Sequence, residues 1–117
     1  MKIVFILKTF TYFLLFPGVN LGNKITTNQN QSLEGDSAKL WCSYELSSEY
    51  IYLYWYRQYP SEAPQFLLYK GARSYSGEDI PDPRFGTTTS RSSTELHIKV
   101  LTLADTALYY CALRVAQ

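Results

Sequence analysis

Two cysteines constrain the fold of this chain more than any other feature. Cys42 and Cys111 are its only cysteines, and Trp55 follows the first at a distance that fits a strand, a loop and part of a second strand. In an oxidising compartment such a pair can form a disulfide, and closing so long a loop would stabilise the fold by about 4 kcal/mol in the chain-entropy model. Two unpaired thiols are the alternative, so the surrounding residues must decide between them.

The first 22 residues, MKIVFILKTFTYFLLFPGVNLG, differ from the rest of the chain. Lys2 gives a positively charged start, residues 3–16 are mostly apolar, and Pro17 and Gly18 end the apolar run. This pattern predicts a secretory signal peptide, with a buried strand or a membrane anchor as the alternatives. We therefore expect a signal peptide over 1–22 and one folded domain over 23–117, which is an ordinary size for a single domain.

Apolar residues alternate with polar ones along the rest of the chain. Three segments show this period of two most clearly, SAKLWCSY, TELHIKV and DTALYYC. Their predicted inward residues are Ala38, Leu40 and Cys42, then Leu96, Ile98 and Val100, then Ala107, Tyr109 and Cys111. Short alternating segments separated by Gly- and Pro-containing turns predict an all-β sandwich.

Charge and residue types exclude several functions. The net charge is +1, which argues against nucleic acid or an acidic membrane surface as the partner. His97 is the only histidine, so the sequence offers neither a histidine-rich metal site nor a well-formed catalytic triad, and it has no glycine-rich phosphate loop. We expect no enzymatic activity, no catalytic residue, no metal and no cofactor.

The residues around the cysteines resemble those of an immunoglobulin variable-type domain. The matching motifs are Cys42, Trp55-Tyr56-Arg57-Gln58, Arg84-Phe85 and Asp105-x-Ala-x-Tyr-x-Cys111. Within that family, the stretches CSYE, YLYWYRQYP, PQFLLYKG and YYCAL are similar to a T-cell receptor alpha or delta variable region. These stretches do not separate alpha from delta.

The resemblance implies a V-set β-sandwich with Greek-key topology. In that fold the Cys42–Cys111 disulfide joins the two sheets and Trp55 packs against it. Tyr109 would lie in the core with its hydroxyl bonded to the chain upstream. Arg84 and Asp105 would form a salt bridge, with a solvated arginine as the alternative.

One sheet face is expected to bind a second variable domain. If Trp55 points inward, its neighbours on the strand point outward, and tyrosine is enriched at protein interfaces. The resemblance implies partner contacts by Tyr56, Gln58, Pro64 and Tyr110, and ordinary exposed aromatics are the alternative.

Loops at one end of the sandwich are expected to bind antigen, because variable domains carry their recognition loops there. The expected contact residues are Ser47, Ser48, Glu49 and Tyr50 in the first loop, Lys70, Gly71, Ala72, Arg73, Ser74 and Tyr75 in the second, and Leu113 and Arg114 in the third. The turn 90–94 is a possible fourth contact strip. Asn30 begins a glycosylation triplet whose use the sequence leaves open.

The chain ends six residues after Cys111. In the family, a final strand carrying Phe-Gly-x-Gly comes from a joining segment, and nothing similar follows Cys111. The sequence is therefore interpreted as the product of an unrearranged germline segment lacking that strand, with truncation as the alternative. We expect an unpaired backbone edge along residues 108–113.

The expected function is antigen recognition in adaptive immunity. The domain would pair with a T-cell receptor beta or gamma variable domain and bind peptide–MHC or an MHC-like ligand. It would reach the plasma membrane through the secretory pathway, anchored by a segment outside this sequence. CD3 signalling subunits would associate only through a constant region, which this sequence lacks. The alternative is a non-rearranging V-type innate receptor or adhesion domain, and a recombination signal in the downstream DNA would distinguish the two.

Overall fold

The computed structural model describes residues 2–11, 24–27 and 29–115, and their side chains from residue 34 onward. This part of the chain forms strands and one short 3₁₀ helix, Leu103–Asp105. The strands are β1 (Lys2–Thr11), β2 (Lys24–Thr27), β3 (Gln29–Leu33), β4 (Ala38–Glu45), β5 (Tyr50–Gln58), β6 (Gln65–Arg73), β7 (Glu78–Asp79), β8 (Phe85–Thr89), β9 (Ser93–Ile98) and β10 (Ala107–Val115). Among the described residues, no helix has the length and apolar character needed to span a membrane.

The strands form two sheets. One has the order β3-β1-β10-β5-β6-β7, and the other has the order β2-β4-β9-β8. In the first sheet, antiparallel pairing of β10 with β5 places Cys111 opposite Trp55. In the second, antiparallel pairing of β4 with β9 places Leu40 opposite Leu96. The predicted all-β immunoglobulin V-type sandwich is confirmed.

The core lies between the sheets and contains the disulfide. Cys42 in β4 is bonded to Cys111 in β10, with their Cα atoms 6.7 Å apart, so the predicted bridge joins the two sheets. Trp55, Tyr109, Leu40 and Leu96 are all fully buried in the same cluster. Trp55 Nε1 donates a hydrogen bond to Thr94 Oγ1 at 3.3 Å, which satisfies its polar group inside the core.

The alternation expected from the sequence ends earlier than predicted on one strand. Ala38, Leu40 and Cys42 are buried in β4, and Leu96 and Ile98 are buried in β9. Val100 was predicted to share the inward face but is 57% exposed, because β9 ends at Ile98. Leu101 is buried instead, and its amide and carbonyl are bonded to Asp36 and Gly35 in the turn before β4.

The backbone edge of β10 differs from expectation. β1 lies parallel to β10 in a register running from Phe5 opposite Ala107 to Thr11 opposite Leu113. The expected unpaired edge along 108–113 is therefore absent in the full chain, since β1 covers it. The prediction that residues 1–22 are a removable signal peptide stays a prediction, and its cleavage region lies outside the described residues.

Candidate functional site

The outer face of β5 and β10 brings three of the predicted partner contacts together. Trp55 points into the core, so Tyr56 points outward and lies opposite Tyr110 in the register. The Tyr110 hydroxyl donates to Gln58 Oε1 at 2.6 Å, and Gln58 Nε2 donates to the Glu62 carbonyl at 2.8 Å. These bonds hold the Gln58 amide in one orientation. Pro64, the fourth predicted contact, is exposed in the turn before β6.

An aromatic row continues along the same face, and the sequence predicted only part of it. We call the six residues Tyr52, Tyr54, Tyr56, Phe66, Tyr69 and Tyr75 the aromatic row. Its ring centroids lie 4.4 Å apart for Tyr52 and Tyr75, 5.4 Å for Tyr54 and Tyr69, and 6.2 Å for Tyr56 and Phe66. The parity of β5 predicts that Tyr54 and Tyr56 point outward, and extending the same parity by one step would have placed Tyr52 there too.

Phe66 could not be placed by parity. The register between β5 and β6 shifts between Trp55 and Tyr56, which is an irregularity of the β-bulge type. As a result, Leu67 and Leu68 are both buried, and Phe66 is 42% exposed beside Tyr56. The bulge adds a large apolar ring to the outward face.

A buried acid, Asp105, forms an ion pair and hydrogen bonds that stabilise the fold. Asp105 is 1% exposed, and Arg84 Nη2 lies 2.6 Å from its Oδ2 atom, as the sequence suggested. This hydrogen bond raises the pKa of Arg84 above its ordinary value. The Tyr109 hydroxyl donates to the Asp105 carbonyl at 2.6 Å, and burial raises the pKa of Tyr109. Arg84, Asp105 and Tyr109 therefore stabilise the fold and lie away from the recognition loops.

The strand registers place the recognition segments at one end of the molecule. Tyr50 pairs with Arg73, and Ile51 pairs with Val115, so β5 begins where β6 and β10 end. The turn between β8 and β9 lies at this end too, because Ser43 near the end of β4 pairs with Ser93. Among the predicted contacts here, Ser47, Glu49, Tyr50 and Ser74 are exposed, and Ser48, Arg73, Tyr75 and Arg114 are partly exposed.

Three predicted antigen contacts are buried, which corrects the sequence interpretation. Gly71 and Ala72 lie inside β6, and Leu113 lies inside β10 with no exposed surface. Lys70 is partly exposed but is also a strand residue. Both strands run further towards the loop end than the motifs suggested. Gly71 is needed because a Cβ there would lie 2.5 Å from the Tyr75 carbonyl oxygen.

The third-loop residue Arg114 contacts the aromatic row. Its Nη1 atom donates to the Tyr54 hydroxyl at 3.2 Å, and its guanidinium lies 5.4 Å from the Tyr52 ring centroid. A hydrogen bond with Tyr75 raises the pKa of Tyr52 above its ordinary value. The face expected to bind a partner domain and the end expected to bind antigen are therefore continuous.

A salt bridge joins the first loop to the turn between β8 and β9, residues 90–93. Arg91 Nη2 lies 2.7 Å from Glu49 Oε2, and this hydrogen bond lowers the pKa of Glu49.

Within the described residues, no cluster of three or more His, Cys, Asp or Glu side chains forms a metal-binding group. Asn30 lies in β3, and its side chain falls outside the described part.

Comparisons of the sequence with known proteins point to one family. Residues 27–117 match the family model of the immunoglobulin V-set domain. The chain is 35% identical over 105 residues to human "T cell receptor alpha variable 9-1", covering 86% of this chain and 89% of the relative. It is 34% identical over 104 residues to human "T cell receptor alpha variable 14/delta variable 4", covering 86% and 88%. It is 41% identical over 83 residues to rabbit "T-cell receptor alpha chain V region RL-5", covering 69% and 59%.

Proposed function

We propose that this chain, which belongs to the immunoglobulin V-set family and within it to the T-cell receptor alpha and delta variable regions, pairs with a beta or gamma variable domain to recognise antigen. Pairing would use the outer face of β5, β6 and β10. Recognition would use the segments 46–50, 74–76 and the end of β10. The composite binding surface would then have one half from each domain.

The aromatic row supports the pairing step. Phe66 is 42% exposed, and its ring lies 6.2 Å from that of the partly exposed Tyr56. Large aromatic side chains clustered on one face are typical of the well-packed centre of a protein interface. The hydrogen-bonded pair Tyr110 and Gln58 lies beside them, with the Gln58 amide already oriented. This cluster is the observation that carries the proposal.

The loop end supports recognition of a peptide–MHC or MHC-like surface. Tyr50 is 54% exposed at the start of β5, beside the serines of the first loop. Tyrosine gives rigid contact area, while serine gives adaptable hydrogen bonding, and antibody-like binding loops combine both. Arg114 lies on the rings at the boundary with the pairing face. A partner domain bound there would therefore adjoin the third loop.

Membership of the family supports a cell-surface setting. The domain would act at the cell surface as part of a T-cell receptor, after residues 1–22 have directed the chain into the secretory pathway. CD3 signalling subunits would join only through a constant region. The domain would work by binding alone, as a receptor module rather than an enzyme.

Co-elution with a T-cell receptor beta variable domain tests the proposal. The wild-type chain and the variants Tyr56→Asp and Trp41→Asp would each be mixed with that domain and analysed by size-exclusion chromatography. Trp41 is the matched control, since it is an aromatic residue 41% exposed on β4 in the other sheet. Wild type and Trp41→Asp should form a heterodimer. Tyr56→Asp should elute as separate domains, because it places a charge in an apolar interface.

Two results would contradict this proposal. One is equal heterodimer formation by all three chains, which would place the interface elsewhere. The other is loss of the heterodimer with Trp41→Asp alone. A circular dichroism spectrum of each unmixed variant would show that both substitutions leave the fold intact.

A further inference from the structure

Arg73 has an unusual backbone for an arginine. It is the last residue of β6 and has φ 61°, in the left-handed region that residues with a Cβ rarely adopt. A glycine would suit this conformation better. The arginine side chain must therefore make contacts that offset the backbone strain.

The guanidinium of Arg73 bonds to backbone carbonyls of two separate segments. Nη1 donates to the Leu46 and Ser48 carbonyls, the latter at 2.5 Å. Nε and Nη2 donate to the Arg91 carbonyl at 3.1 and 2.7 Å. One side chain from the end of β6 thus holds the first loop and the turn 90–93 together.

The shape of the arginine head group makes this possible. Its planar guanidinium has five N–H donors in a fixed fork, whereas a lysine ammonium is a compact point charge. The guanidinium also lies 5.5 Å from the ring centroid of Tyr44, which is buried beneath it. The Tyr44 hydroxyl donates in turn to the Ser90 carbonyl. Two side chains, Tyr44 and Arg73, therefore donate hydrogen bonds to backbone carbonyls of the turn 90–93.

A second set of contacts closes the cluster. The Ser74 amide donates to the Glu49 carbonyl at 2.9 Å, and its hydroxyl donates to Glu49 Oε1 at 3.1 Å. The other Glu49 oxygen accepts from Arg91 at 2.7 Å. The start of the second loop, the first loop and the turn 90–93 thus form one connected network.

We infer that Arg73 is a positioning residue that fixes the first loop and the turn 90–93 in a single arrangement, rather than the direct antigen contact expected from its sequence position. Its donors already bond to three carbonyls within the domain. The segments it joins would meet a ligand as one preorganised surface, which lowers the ordering cost of binding. This inference concerns the unbound domain and holds whatever the ligand is.

Amide hydrogen exchange in the full 117-residue chain tests the inference. Two amides report on the turn, since Tyr44 N–H donates to the Ser92 carbonyl at 2.9 Å and Ser93 N–H donates to Ser90 Oγ at 3.0 Å. Arg73→Gln removes the guanidinium and its donors but keeps a side chain at the strained backbone position. Lys70→Gln is the matched control, because it removes the same charge from the same strand.

Arg73→Gln should raise exchange at the two reporter amides by at least about tenfold while amides of β5 and β10 keep wild-type rates, as expected for local opening. Lys70→Gln should leave the reporter amides unchanged. Arg73→Lys should also raise exchange at the reporter amides, because one ammonium group cannot donate to three carbonyls on two segments. This variant replaces Arg73→Gln as the test if Arg73→Gln does not fold. Wild-type exchange in Arg73→Lys, or an equal rise across reporter and core amides, would overturn the inference.

Discussion

The Asp105 carboxylate is almost completely buried, yet three donors reach it. Arg84 Nη2 lies 2.6 Å from Oδ2, the Thr102 amide donates to the same oxygen at 2.8 Å, and the Thr102 hydroxyl lies 3.4 Å away. Arg57 is 3.9 Å from the other oxygen, which is too far for a hydrogen bond. A buried carboxylate that loses its charged donor is costly, so Arg84 should matter more than a surface arginine.

We predict that Arg84→Gln lowers the free energy of unfolding by about 2 kcal/mol. That figure is below the 3–5 kcal/mol range for fully buried pairs because 39% of the Arg84 side chain is exposed. Arg91→Gln is the control, since Arg91 and Glu49 form a pair that is exposed on both sides. Urea unfolding of both variants would measure the difference. An equally small effect in both would show that Asp105 does not depend on Arg84.

The strand β10 has a pairing partner along both of its edges. β5 pairs with it on one side, and β1 pairs with it on the other over seven positions. A strand edge without a partner exposes backbone donors and acceptors and promotes aggregation. The stability of the sandwich should therefore depend on what occupies the β1 side.

We predict that a chain of residues 23–117 melts at least about 5 °C below the full chain, because it loses the β1–β10 ladder. Appending a strand that carries Phe-Gly-x-Gly after Gln117 should restore the melting temperature, since that strand can pair along the same edge. Differential scanning calorimetry of the three chains would measure both changes. Equal melting temperatures would mean that the β10 edge needs no partner.

Simple alternation predicts which side chains are buried only where the pairing of the strands is regular. Leu40, Cys42, Trp55 and Tyr109 could be placed in the core because β4, β5 and β10 keep their period of two around them. Phe66 could not be placed, since the bulge in the β5–β6 pairing shifts the parity of β6. Leu113 continues the inward parity of Tyr109 and Cys111, and it was misassigned to a loop because β10 extends to Val115. Ala112 breaks the alternation, since it is buried between Cys111 and Leu113.

At the scale of the whole molecule, the two sheets present different outer faces. The β5–β6–β10 face carries the aromatic row and the Tyr110–Gln58 pair. The outer face of β4 and β9 carries Trp41 opposite Glu95 and Lys39 opposite His97, a more polar mixture. Family motifs predict that the β5–β6–β10 face would bind a partner domain, and this stays a prediction. The extent of the aromatic surface on that face depends on packing that no motif encodes.

Side-chain footprinting of the heterodimer tests the central claim most directly. Hydroxyl-radical labelling followed by mass spectrometry would compare this chain alone with the chain bound to a T-cell receptor beta variable domain. Tyr56, Phe66 and Tyr110 should lose most of their labelling in the complex, while Trp41 on the opposite sheet should be labelled as before. Protection of Trp41 with unchanged labelling of Tyr56 and Phe66 would contradict pairing through the aromatic face.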